Sequence, residues 1–348
     1  MKVAIVILNW NGAAMMQRYL PALLRSLSPS DDARVIVGDN ASTDNSVQML
    51  NDMFPTVTVI RNDNNYGFAE GYNRVLRQVE AQYYVLLNSD VEVTTGWLQP
   101  LVDFMDNHAD VAACQPKMLA MTDPGAFEYA GAAGGYIDRY GYPFCRGRLM
   151  ATLERDKGQY DSAAQVLWAS GACLLIRSAD YWLAGGLDAR FFAHCEEIDL
   201  CWRLSLMGRK IYCLPQSSVK HLGGGTLPKN SPHKTYLNFR NNLFMLYKNL
   251  PDGELRHVMR VRRVLDFIAA LQSLVTGNFI ADFVAIRHAR RDFYRRRHDF
   301  DADRSETARH RITPFAPGHM RYSMLWHYYV LGHKRFSQLP APDANRQL

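Results

Sequence analysis

Four stretches of this chain place residue types capable of chemistry where a fold would expose them. Asp90 ends the run Tyr84-Val85-Leu86-Leu87, at the rim of an expected buried strand. A hard cation such as Mg²⁺ or Mn²⁺ takes one or two carboxylates and completes its shell with phosphate oxygens. The same aspartate could serve only as a turn residue before Thr94-Thr95-Gly96. Glu196, Glu197 and Asp199 crowd the start of an expected helix. Clustered carboxylates raise one another's pKa, which prepares a general base near neutral pH. Acids also suit a helix N-terminus on electrostatic grounds alone, and Arg203 stands four residues from Asp199, within pairing reach. His221 precedes Leu222-Gly223-Gly224-Gly225, whose glycines let backbone approach a ligand closely; a lone histidine is more often structural. Asp39 ends a second strand, where it could accept hydrogen bonds from a base or ribose, or cap the next helix.

These residues need elements to bring them together. Residues 3–8 are continuously apolar, the pattern of a strand covered on both faces. Strands are also expected at 34–37, 56–60 and 83–87, with helices over 13–27, 42–53 and 67–79 between them. Such alternation means an α/β fold, a mostly parallel sheet with helices on both faces. Ligands bind at the carboxyl ends of such strands, and Asn9-Trp10-Asn11, Asp39-Asn40 and Asn88-Ser89-Asp90 all fall there. Residues 122–165, rich in Gly, Tyr and Pro, predict loops and short strands. A strand-like segment at 166–177 breaks at Ser170-Gly171. A helix at 196–207, a strand at 210–214, a glycine-rich turn around His221 and a helix at 236–250 complete a body of residues 1–250. Pro251-Asp252-Gly253 reads as a linker to a basic, mainly helical extension of residues 251–348.

Composition narrows the function. Of 348 residues, 48% are hydrophobic and 11% aromatic, which excludes a mostly disordered chain. The six cysteines lack C-x-x-C spacing, which argues against a zinc site or a disulfide scaffold and favours a reducing cytoplasm. The N-terminal run reads as a strand rather than a signal peptide, and no apolar run is long enough to span a bilayer. Neither G-x-G-x-x-G after the first strand nor a P-loop is present, so a metal would have to handle phosphate. Residues 251–348 hold 17 Lys and Arg against 10 Asp and Glu, whereas residues 1–250 hold 23 against 24. A basic tail of this kind suits an anionic partner, either nucleic acid or a membrane surface. Phe267, Leu271, Leu274 and Val275 form one apolar stripe in it. The tail is then either a helical appendage packed on the body with solvated arginines, or an interfacial helix drawn to anionic lipid.

In order along the chain, these motifs resemble the inverting family 2 glycosyltransferases, which have the GT-A fold, and in the N-terminal half the bacterial rhamnosyltransferases. The resemblance covers residues 2–250. It rests on Val6-Ile7-Leu8-Asn9-Trp10-Asn11-Gly12, on Val37-Gly38-Asp39-Asn40-Ala41-Ser42-Thr43-Asp44-Asn45-Ser46, and on Asn65, Gly67-Phe68-Ala69 and Asn73. It continues through Leu86-Leu87-Asn88-Ser89-Asp90 as the D-x-D segment, 170–177, Gly185-Gly186-Leu187-Asp188, Glu196–Arg203 and Val219-Lys220-His221.

The resemblance implies roles residue by residue. Asp39 would bond the nucleobase, with Leu8 and Trp10 forming the rest of its pocket and Asn65, Asn73, Asn88 and Ser89 lying along the nucleotide. Asp90 would bind a divalent cation, Mg²⁺ or Mn²⁺, that bridges the donor diphosphate, with His221 completing its shell. Asn88 replaces the first acid of D-x-D and leaves the metal one charge weaker. Glu197 stands where the family usually has an aspartate base, and Glu196 could share its task. Trp168, Phe191 and Phe192 are candidates to keep water from the donor. The implied function is metal-dependent, inverting transfer from a nucleotide-sugar donor such as dTDP-rhamnose. The acceptor would be a glycan or lipid-linked molecule of surface polysaccharide assembly. It would act in the cytoplasm, peripheral on the inner membrane face. Two alternatives are a nucleic-acid-binding protein using the basic tail, and a nucleotide-sugar-binding scaffold that has lost activity. The tail arginines lack an interleaved base-stacking motif, so no nucleic-acid partner is expected.

Overall fold

The computed structural model describes residues 1–223, 231–275 and 280–341. The N-terminal apolar run forms β1 (Val3–Asn9), followed by α1 (Ala13–Ser26), β2 (Ala33–Asp39), α2 (Ser46–Met53), β3 (Thr58–Arg61), α3 (Gly67–Leu76) and β4 (Tyr83–Leu87). β1 lies between β2 and β4, with β3 beyond β2, and all these neighbours are parallel. Parallel neighbours require crossovers, which the helices supply. Alternate β1 residues feed two separate cores: Ala4 and Val6 on one face, Val3, Ile5 and Ile7 on the other.

Beyond β4 the fold is richer than expected. β5 (Val91–Val93), α4 (Gln99–Asn107) and β6 (Val111–Ala120) lie between β4 and the 122–165 segment. β6 is central, but Gln115, Pro116 and Lys117 interrupt its apolar run. The fold gives these polar groups partners: Gln115 Oε1 accepts the Ser170 N–H at 2.9 Å, and Lys117 pairs with Asp156 at 2.7 Å. Residues 122–165 hold a small antiparallel sheet of β7 (Gly135–Ile137), β8 (Pro143–Cys145), β9 (Arg148–Leu149) and β10 (Thr152–Leu153). The expected break at Ser170-Gly171 is complete: β11 (Ala164–Val166) and β12 (Cys173–Arg177) are separate strands that pair with different partners.

After β12 come α5 (Ser178–Leu183), α6 (Glu196–Leu206) and β13 (Lys210–His221). β13 outruns its expected end at 214, and its irregular register between Leu214 and Ser218 carries the strand past Pro215 to His221. Gly224 and Gly225 of the expected turn lie outside the described residues. The main sheet runs β11-β13-β6-β12-β4-β1-β2-β3, with β5 on β13. β12 joins its neighbours antiparallel, and β6 and β13 are parallel.

α7 (Pro232–Asn249) and α8 (Asp252–Ser273) follow almost without interruption, so 251–253 begins a helix rather than a linker. α9 (Ile280–Arg296), α10 (Asp301–His310) and α11 (Met324–Tyr329) complete the chain, and α9 packs on both α7 and α8. α8 is inverted relative to an ordinary amphipathic helix. It buries Arg262 and Asp266 while Val264, Phe267, Ile268 and Leu271 face outward. The inward charges are matched: Arg262 pairs with Asp266 at 3.0 Å, and Arg290 of α9 reaches the same carboxylate at 2.8 Å. No helix among the described residues is long and apolar enough to cross a membrane.

Candidate functional site

Strand register gathers the expected site residues at one edge of the sheet. Asn9 ends β1 opposite Asp39 of β2, and Leu87 ends β4 opposite Ile7. β12 starts at that edge, with Cys173 opposite Leu87. His221 closes β13 opposite Ala120 of β6 and Val91 of β5.

Asp39 is buried and holds the first turn. Its Oδ1 accepts from Asn9 Nδ2 at 2.9 Å and its Oδ2 from the Ser42 N–H at 3.1 Å. Asn40 donates to Asn65 Oδ1 at 3.0 Å, fixing the β2 exit against α3. Leu8 is half-buried, and Trp10 projects from the turn with 48% of its surface exposed. Gly12 is required here: a Cβ would lie 2.5 Å from Asn9 Oδ1. Ser89 Oγ, 3.9 Å from that point, brings the β4 exit alongside. Asn73 is committed elsewhere. It is buried, its Nδ2 donates to Leu187 O at 2.7 Å, and its Oδ1 accepts from Tyr181 Oη at 2.6 Å. It ties α3 to the loop before α6.

Asn88-Ser89-Asp90 is the tight connection from β4 to β5. The Asn88 N–H donates to Ala172 O at 3.0 Å and Asp90 O accepts from the Leu222 N–H at 3.1 Å. His221 Nε2 then lies 3.1 Å from Asp90 Oδ1, and its Nδ1 lies 3.3 Å from Glu128 Oε1. All three side chains are buried. Burial opposes charge on the imidazole, but the hydrogen bonds and charges of Asp90 and Glu128 outweigh it and lift the pKa to about 9. Glu128 was not expected from the sequence, because it lies in the aperiodic 122–165 segment with no pattern to mark it. Among the described residues no group of three such side chains is arranged to hold a metal ion. The imidazole lies between the two carboxylates instead. Asp90 still offers a hard oxygen donor of the kind that Mg²⁺ or Mn²⁺ accepts alongside phosphate oxygens, and His221 a nitrogen donor beside it once a cation displaces its proton.

Glu197 lies beside Gly171, two residues before the start of β12. A Cβ at Gly171 would lie 3.7 Å from its Cβ and Cγ and 3.4 Å from Phe68. Glu196 and Glu197 each carry one buried carboxylate oxygen without a hydrogen-bond partner. Desolvation raises both pKa values above the ordinary range, and Glu196 also feels the charge of Glu197. Asp199 is paired on both oxygens instead. It is held by Arg203 at 2.9 Å and Lys248 at 2.8 Å, with Asn249 on its other oxygen. The expected Asp199–Arg203 pair is therefore present, and the carboxylate cluster reduces to two members.

The backbone before α6 is unusual. Phe192, His194 and Cys195 all have positive φ, at 67°, 72° and 70°. Non-glycine residues hold such angles only where surroundings fix them. α7 does this: Asn241 Nδ2 lies 2.9, 2.7 and 2.8 Å from the carbonyl oxygens of Phe191, Ala193 and His194, and Arg240 Nη2 bonds Phe191 O at 3.0 Å. Of the aromatics proposed to exclude water, Trp168 and Phe191 are core, and Phe192 is exposed against Gly67.

Residues 4–140 match the family model described as glycosyl transferase family 2. The chain is 26% identical over 235 residues to N-acetylglucosaminyl-diphospho-decaprenol L-rhamnosyltransferase of Mycobacterium tuberculosis, covering 62% of this chain and 75% of the relative. It is 24% identical over 213 residues to rhamnosyltransferase WbbL of Escherichia coli, covering 58% and 78%. Its fold is similar to that of Staphylococcus aureus TarS 1–349 in complex with UDP-GlcNAc (TM-score 0.56, 15% identity, 89% of this chain and 90% of that one). It is also similar to GalNAc-T7 with UDP, GalNAc and Mn²⁺ (TM-score 0.57, 15% identity), covering 87% of this chain and 56% of that structure. Residues 4–140 are accordingly a glycosyl transferase family 2 domain, and the chain that carries them is a glycosyltransferase.

Proposed function

We propose that the chain moves a deoxyhexose such as rhamnose, with inversion, from a nucleoside-diphosphate donor to a glycan or lipid-linked acceptor of cell-surface polysaccharide. The observation that carries this reading is the meeting of two chemistries at one sheet edge. Asp90 pairs with His221 after β4, and Glu197, with an unpartnered carboxylate oxygen, lies beside Gly171, next to the Ala172 carbonyl that accepts from Asn88. Both rhamnosyltransferase relatives support the choice of sugar.

In this reading the turns at Asn9–Gly12 and Asp39–Ser42 shape the nucleotide pocket, with Trp10 as its exposed aromatic wall. Asp90 and His221 would hold a divalent cation, which supplies charge neutralisation to a leaving diphosphate. The acceptor hydroxyl lies near Glu197, whose carboxylate takes its proton as the oxygen attacks the anomeric carbon. The bond to the nucleotide phosphate breaks on the opposite face, and the stereocentre inverts. No protein nucleophile is required. The tail arginines suit this reading better than nucleic-acid binding. Arg262, Arg290, Arg296 and Arg304 already pair with Asp266, Asp299 or Asp252.

Thermal unfolding with dTDP, UDP and GDP, each with Mn²⁺, tests the donor site. At least one should raise the melting temperature; no shift with any of them removes the assignment. Transfer from dTDP-rhamnose, measured alongside UDP-sugars, tests the sugar.

A further inference from the structure

Beside the Glu197 loop lies a cavity of about 1050 Å³, walled by the β7–β10 sheet, α7, α8 and the α11 region. Cys195, one residue before Glu196, lines it from the catalytic side. Tyr129, next to Glu128, lines it from the His221 side. At its other end Ile268, Trp326, Tyr329 and Val330 are each more than half exposed. The walls are mostly aromatic and aliphatic, yet three arginines enter them. Arg262 is neutralised by Asp266. The other two are not: Arg139 and Arg148 form no ion pair among the described residues. Arg148 is 6% exposed, stacks on Tyr129 at 4.6 Å, donates to Pro143 O at 3.3 Å and Cys145 Sγ at 3.5 Å, feels the charge of nearby Glu128, and keeps a buried Nε without a hydrogen-bond partner. A buried cation that forms no direct ion pair is costly unless an anion meets it.

We infer that this cavity binds the lipid-phosphate part of the acceptor, an isoprenoid phosphate or diphosphate. Arg148 and Arg139 meet the phosphate, and the aromatic wall and the Ile268–Val330 mouth hold the hydrocarbon. The inference rests on the proposed transfer function and deepens it. It makes the acceptor lipid-linked and places its phosphate between the exposed apolar mouth and the Cys195–Glu197 loop. The volume fits one chain end rather than a whole long lipid. The outward apolar face of α8 continues from the mouth and offers the remainder a surface.

The test uses the full chain and the quenching of tryptophan fluorescence, since Trp326 stands at the mouth. Geranylgeranyl diphosphate should bind at least tenfold more tightly than geranylgeraniol, and inorganic pyrophosphate alone should bind weakly. Arg148→Gln should weaken the diphosphate at least tenfold and leave the alcohol unchanged. Ile268→Glu, at an exposed position that leaves the interior intact, should weaken both lipids. Equal affinity for alcohol and diphosphate, or insensitivity to Ile268→Glu, overturns the inference. So does association with anionic vesicles as the sole lipid interaction. Nucleoside-diphosphate stabilisation, measured in parallel, separates the two failures. If it persists without isoprenoid binding, only the cavity assignment falls.

Discussion

At the scale of single residues, the proposed mechanism turns on Glu197. Burial pushes its pKa from the ordinary 4.5 up to about 7, and burial together with the Glu197 charge pushes Glu196 well above its ordinary range. A base must be deprotonated, so turnover should rise with pH and level off above about 7. Glu197→Gln should cut kcat by about 10²–10⁴-fold, the usual worth of general-base catalysis, while sparing stabilisation by a nucleoside diphosphate. The stability effect has the opposite sense. A carboxyl whose folded pKa is raised binds more protons folded than unfolded, so its charge destabilises the fold as pH climbs from about 4.5 to 7. Glu197→Gln should therefore be more stable than the parent at pH 8, by about 1 kcal/mol or more, and match it at pH 4.5. Denaturation curves at the two pH values check this, and a variant less stable at pH 8 contradicts it. The sequence displayed Asp90, Glu197 and His221 because each ends or begins a periodic segment. Glu128 escaped notice because only the folded hairpin region brings it to His221.

At the scale of elements, the first half of the chain was legible and the second less so, for physical reasons. β1 to β4 are short apolar runs separated by helices, a pattern that local sequence carries in full. β6 carries a proline and two polar side chains whose partners come from residues about 40 to 55 positions away, so its strand character depends on tertiary contacts. β13 looked short because its irregular register accommodates Pro215 and Gln216. The loop 191–195 is another such case, since nothing in Phe192-Ala193-His194-Cys195 announces left-handed backbone. Its conformation is imposed by α7, and Asn241 is the sharpest test of that. Asn241→Ala removes the donor facing three carbonyls and should cost about 1–3 kcal/mol of stability. It should also lower kcat by about 10- to 100-fold through misplacement of Glu197, with the nucleoside-diphosphate melting shift retained. Loss of stability with unchanged kcat would assign Asn241 to folding alone.

At the scale of the whole molecule, charge and apolar surface fall on the same side. The tail carries the excess of Lys and Arg, and Arg256, Arg260 and Arg263 are exposed on α8 beside Val264, Phe267 and Leu271. α11 and the residues after it add Trp326, Tyr329, Val330 and Leu331. A soluble helix normally turns such a stripe inward. Here Arg262, Asp266 and Arg290 occupy the inward side as a matched network, so the stripe cannot rotate inward without stranding those charges. A surface that is both apolar and basic is suited to an anionic bilayer, where burying a Phe or Leu contributes about 1.5–3 kcal/mol and each nearby basic residue about 1 kcal/mol. The chain should therefore co-sediment with phosphatidylglycerol-containing vesicles more than with neutral ones. Phe267→Ser combined with Leu271→Ser, neither of which lines the cavity, should lower the partition coefficient by about 100-fold, and high salt should weaken what remains. If the double variant binds like the parent and salt alone releases it, the arginines act without the stripe. If neither vesicle type sediments the protein, the outward face of α8 must be covered by something other than lipid.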